Sequence, residues 1–162
     1  MRGEAKDQCP VNSKATFAVA ESYVIHRERL TTRAADYDPF VRSRIELGRA
    51  LSAVDYMAML SDRTALVRAM DARLADLDAL VLPTTSIVAP TIAEVASSES
   101  LTAKNLLVLR NPAIVNFFDL CAISLPLPRA GALPVGLMLV ARNGHDRRLF
   151  RMAAAVERLF AA

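Results

Sequence analysis

Serine, histidine and lysine are the residue types that could run acyl-transfer chemistry in this chain. A hydroxyl becomes a nucleophile only beside a group that takes its proton. Ser97-Ser98 is the one adjacent serine pair, and it is followed by Glu99 and Ser100. No glycine stands near it to let backbone N–H groups gather into an oxyanion hole, so the run reads as a polar loop. His26 and His145 are isolated from one another and read as solvated or capping residues. Asp7, Asp38, Asp55 and Asp146 read as loop or cap residues. Cys9 lies in a polar stretch and Cys121 in an apolar run, with no metal-ligand spacing. Cys121 reads as a small buried hydrophobe, and the two as reduced thiols of a cytoplasm. There is no glycine-rich phosphate loop. The residues taken alone imply no catalytic set, no metal site and no cofactor.

Composition narrows the partners. The chain has 162 residues, enough for one domain with a real core, and 53% of them are apolar. That fraction exceeds the ordinary soluble range of about 45–50% and points to surface meant for something else. The net charge is +3, from twenty basic and seventeen acidic residues. Acids are interspersed among the arginines, and no basic run is long enough for a nucleic-acid tail. The first residues, Met1 to Gln8, hold no apolar leader segment. No apolar run approaches the ~20 residues of a membrane span.

Residues 1–15 read as irregular. Residues 16–162 read as a single domain of helices around apolar strands. A helix is predicted over 16–33, with Phe17, Ala20, Val24 and Leu30 as its stripe. Asp38-Pro39 opens a second helix, since aspartate caps well and proline is tolerated at the first helical position. Ser52 and Asp55 mark a third helix, to about Ala75, with an apolar stripe of Val54, Met57, Leu60, Val67, Met70, Leu74 and Leu77. Residues 78–83 read as a strand buried on both faces. Residues 84–100 read as a loop, followed by two helices over 102–109 and 112–120. Strands follow at 122–125 and 135–141. Asn143-Gly144 makes a turn, and Asp146 caps a last helix with the stripe Leu149, Ala153, Val156 and Phe160. The predicted fold is α/β, a partial mixed sheet of at least three strands covered by helices.

Several of these segments occur in a known order. Arg42-Ser43-Arg44-Ile45 with Gly48 precedes Ala53-Val54-Asp55-Tyr56. Asp78 to Thr84 fits Asp-x-hydrophobic-hydrophobic-x-Pro-Thr. Asn116 with Ala122-Ile123-Ser124-Leu125-Pro126, then Leu133-Pro134-Val135-Gly136, then Gly144, Asp146 and Glu157, complete the series. From about Ala20 to Phe160 the chain resembles the C-terminal segment of the amidase signature family. Asp119 and Cys121 stand where that family usually has glycine and proline, which implies a differently shaped loop. Lys6-Asp7 shares letters with the family's lysine-aspartate pair, but it precedes the C-terminal features and reads as chance.

The resemblance implies a function and withholds part of it. Family members cleave carboxylic amide C–N bonds through a serine acyl-enzyme, activated by a lysine and a cis-serine. None of those three has a counterpart here, so no catalytic residue carries over and the chain is expected to be inactive alone. What carries over is substrate contact: Arg44, whose guanidinium suits a carboxylate or polar amide, Pro83 and Thr84 at a strand end, and Asn116. The implied partners are an N-terminal amidase half, or a second copy through self-association, with a small amide as substrate of the complete enzyme. The alternative is a non-catalytic partner subunit or remnant that supplies a substrate wall and an interface.

Overall fold

A computed structural model describes residues 16–127 and 131–160. The predicted irregular stretch 1–15, with Lys6, Asp7 and Cys9, lies outside the described residues. The chain divides into two compact units between Asp62 and Arg63.

The first unit is helical. Helix α1 spans Phe17–Arg33, and Thr16 caps it by accepting a hydrogen bond from the Val19 N–H. Helix α2 spans Pro39–Glu46. Asp38 accepts from the N–H groups of Phe40 and Val41, as its sequence position predicts. A 3₁₀ turn over Leu47–Ala50 brings buried Gly48 against α1. A Cβ at Gly48 would overlap the Val19 carbonyl and the Tyr23 side chain, so only glycine allows this approach. Helix α3 spans Ala53–Arg73, with residues 53–62 in this unit and 63–73 in the second, and the Asp55 N–H donates to Ser52 Oγ at its start.

The apolar stripes differ from expectation. Val24, on α1, is 62% exposed, and Val54 and Met57, on α3, are 77% and 70% exposed. Tyr56 turns inward instead. Its ring meets Phe17 edge-on at 5.7 Å, and its hydroxyl donates to Glu21 at 3.1 Å. An aromatic ring with a polar tip outcompetes the smaller aliphatic groups for this position. The later stripe residue Leu74 is buried, as expected.

The second unit holds the sheet. Strand β1 is Leu80–Pro83, β2 is Cys121–Leu127 and β3 is Val135–Ala141. The order is β1-β3-β2, with β3 in the centre. The α/β class and the three strands stand. The strand directions do not follow the expected mixed pattern: both pairings among the described residues are antiparallel. The strand buried on both faces is β3, where Met138, Leu139, Val140 and Ala141 are all buried. β1 is instead an edge strand of alternating burial, with Val81 61% exposed.

Helices cover the two faces unequally. Helix α5, Asp146–Phe160, packs Leu149 and Ala153 against Leu125, Leu139 and Ala141. Helix α4, Ser98–Phe117, packs Val115 against Met138 and Val140, with Leu80, Leu82 and Leu120 around them. α4 replaces the two predicted helices and runs through Pro112. Proline inside a helix costs about 3 kcal/mol by removing one hydrogen bond and crowding a carbonyl. The helix continues nonetheless, with Asn111 and Val115 buried on either side of Pro112.

The loop after α4 explains a sequence departure. The Leu120 N–H donates to the Val115 carbonyl and the Asp119 N–H to the Asn116 carbonyl. This is a Schellman closure, with Asp119 in the left-handed position at φ 53°. Aspartate thus adopts the conformation that glycine favours, and its carboxylate takes a bond from Arg63 at 2.5 Å.

Candidate functional site

The end of β1 is where polar groups gather. Gly136, on β3, has no side chain, and over it the hydroxyls of Thr84 and Ser124 meet at 2.5 Å. A Cβ on Gly136 would lie 2.5 Å from each of those oxygens. The Thr84 N–H donates to the Gly136 carbonyl at 2.9 Å, extending the β1–β3 ladder by one bond. Ser124 reaches this face because residues of β2 alternate sides, and Ser124 sits opposite Met138.

α4 fixes the same place from outside the sheet. Asn111 is buried, and its Nδ2 donates to the Pro83 carbonyl at 2.7 Å. Its Oδ1 accepts from Arg110 Nε at 3.3 Å. Thr84 and Gly136 carry the ladder bond, so at the neighbouring Pro83–Leu137 pair the Pro83 carbonyl faces the open edge of β1. Asn111 supplies the missing donor.

Of the four expected contact residues, two are consecutive in the chain. Pro83 and Thr84 are adjacent at the strand end. Asn116 is exposed and lies five positions beyond Asn111, about 7.5 Å along the helix. Its carbonyl takes bonds from Arg63 and from the Asp119 N–H. Arg44 belongs to the first unit, on α2, with its guanidinium 5.7 Å above the Phe40 ring. Asn111, Ser124 and Gly136 are the residues that sequence reasoning did not place at the strand end.

No activated nucleophile appears among the described residues. Ser97 caps α4 in a reciprocal box with Ser100. Ser98 is the first residue of that helix, so the predicted polar loop is in fact a helix start. Lys104 bonds to Glu94 at 3.4 Å. His26 Nδ1 meets the Tyr37 hydroxyl at 2.9 Å. The Cys121 thiol donates to the Arg142 carbonyl at 3.1 Å. Burial pushes its pKa up, and the nearby Asp146 carboxylate pushes it further, the opposite of the lowered pKa of a reactive thiol. Among the described residues no group of three or more His, Cys, Asp or Glu could hold a metal ion. No helix there is long and apolar enough to cross a membrane.

Comparison with known proteins places this architecture. Residues 8–150 match the family model described as Amidase. The chain belongs to the amidase family. An amidase relative, the 2-amino-5-chloromuconic acid deaminase of Comamonas testosteroni, is 32% identical over 127 residues, covering 75% of this chain and 27% of its own length. A glutamyl-tRNA(Gln) amidotransferase subunit from Salinispora arenicola is 36% identical over 132 residues, covering 78% and 26%. A crystal structure of an amidase superposes with a TM-score of 0.72 at 22% identity, covering 93% of this chain and 36% of that one. The fold is therefore an amidase fold in part, and the chain spans about a quarter of the length of the curated relatives it matches.

Proposed function

We propose that this chain is the C-terminal part of an amidase, supplying one wall of a site that cleaves a carboxylic amide C–N bond through a serine acyl-enzyme. The observation that carries the reading is the strand end itself. Pro83 and Thr84 of the family motif are held at the end of β1 by Asn111 and by Gly136. Arg44 enters the reading through the family motif that contains it. The serine nucleophile and the lysine and cis-serine that activate it come from a segment with no counterpart in this sequence. The chain alone is then inactive. Relatives described as a deaminase and as part of an amidotransferase support C–N chemistry without fixing the substrate.

Two assays test this. The purified chain, given a panel of simple aliphatic and aromatic amides, turns none of them over. A chimera in which this chain replaces the matching quarter of the Comamonas testosteroni relative hydrolyses a C–N bond. Turnover by the chain alone, abolished by a serine-directed reagent and by Ser98→Ala, would contradict the assignment and return attention to the start of α4.

A further inference from the structure

The strand end leaves bonding capacity that the protein does not use. Arg110 is exposed on α4, and its Nε is committed to Asn111 Oδ1 at 3.3 Å. Among the described residues no carboxylate pairs with it, whereas Arg63, Arg142 and Arg148 of the same unit pair with Asp119, Asp71 and Asp78. Its two terminal nitrogens are therefore unspent. The bond to Asn111 ties it to the strand end, because Asn111 is buried and holds the Pro83 carbonyl, one peptide from Thr84.

The hydroxyl pair adds a second unspent donor. Thr84 and Ser124 carry two protons between them, and the bond joining them uses one. The other proton is free to donate, and Ser124 is exposed. A planar guanidinium fork tied through Asn111 to the strand end that carries the hydroxyl pair suits a ligand with two coplanar acceptor oxygens. An exposed helical arginine is ordinarily a solvated charge. This one is oriented by a buried side chain that also fixes the expected substrate wall.

We propose that Arg110 and the Thr84–Ser124 hydroxyl pair form a carboxylate-binding subsite, so that the substrate is an amide that also carries a carboxylate group. The amide half of that statement rests on the amidase reading. The carboxylate half rests on Arg110 and the hydroxyl pair.

Equilibrium dialysis of the full chain at neutral pH tests the subsite whatever the association state. The probes are succinamate, which has one amide and one carboxylate, and the neutral diamide succinamide. Succinamate binds at least about tenfold more tightly, the equivalent of losing one charge-assisted contact. R110Q brings succinamate down to the level of succinamide, and R110K, which keeps the charge but not the fork, falls between. Unchanged far-ultraviolet circular dichroism of each variant confirms that the fold is kept. Equal binding of both probes, binding of neither, or an unaffected R110Q overturns the subsite. Turnover by the chimera separates the two ideas. Hydrolysis of both probes with equal kcat/KM sinks the subsite and keeps the amidase reading, and succinamate binding without any amide hydrolysis does the reverse.

Discussion

Asp119 shows how a single residue can keep a turn while changing its chemistry. Sequence comparison with the family pattern implied a reshaped loop, because glycine was replaced. The backbone instead holds the left-handed conformation, and the carboxylate bonds Arg63. A non-glycine residue there costs about 1–2 kcal/mol. Asp119→Gly should therefore be more stable than Asp119→Ala by about 1 kcal/mol in urea denaturation, since both variants lose the exposed ion pair and only one relieves the backbone. Equal stability would mean that the turn is not left-handed in solution. Arg44 is tested in the chimera: Arg44→Ala should weaken substrate binding by about 1.5–3 kcal/mol if it makes a charge-assisted contact. Unchanged kinetics with lowered thermal stability would reduce Arg44 to its packing on Phe40. At this scale Pro83 and Thr84 were legible because a proline-ended apolar run marks a strand end. Asn111 was not, because the predicted break at Pro112 erased the helical phase that decides which asparagine of α4 faces β1.

Elements were more legible than residues wherever the punctuation was local. Asp38-Pro39, Ser52 with Asp55, and Asn143-Gly144 each set a boundary through bonds made within a few residues, and α2, α3 and the turn before α5 follow them closely. α4 was misread because Pro112 is a local stop signal that tertiary burial overrides, and because Ser97 and Ser100 resemble loop residues until they cap one another. Strand direction depends on long-range pairing, and no local pattern encoded it. One long-range link lends itself to titration. Arg142, after β3, forms a two-pronged bond to Asp71 of α3, at 2.7 and 2.6 Å. The hydrogen bonds from Arg142 hold the Asp71 carboxyl below its ordinary range. A depressed carboxylate contributes stability that is present above its unfolded pKa of about 3.9 and is lost as pH falls through the lower folded value. The wild-type advantage over Asp71→Asn in denaturant midpoint should thus be full at neutral pH and shrink below about pH 4. An advantage that stays constant down to about pH 2, roughly two units below the ordinary aspartate pKa, would show that the pair does not couple α3 to the sheet.

The molecule as a whole carries more uncovered apolar surface than its folding explains. Val24, Ile25, Val54 and Met57 are exposed in the first unit, and Val81, Ile92, Phe150 and Leu159 in the second, with Ile92 at 90%. Single exposed apolar side chains are ordinary, but this excess accords with the high apolar fraction read from the sequence. Among the described residues both β1 and β2 have an unpaired outer edge. Unpaired edges template association with other chains. Both features follow if the chain completes its fold against a further amidase segment. The most direct measurement is sedimentation of the purified chain at micromolar concentration, alongside a dye that reports exposed apolar surface. The account predicts dye binding together with self-association, and loss of both when an N-terminal amidase segment is supplied. A compact, dye-negative monomer with a cooperative melt would be a self-sufficient domain, and would contradict the reading of this chain as one part of a larger enzyme.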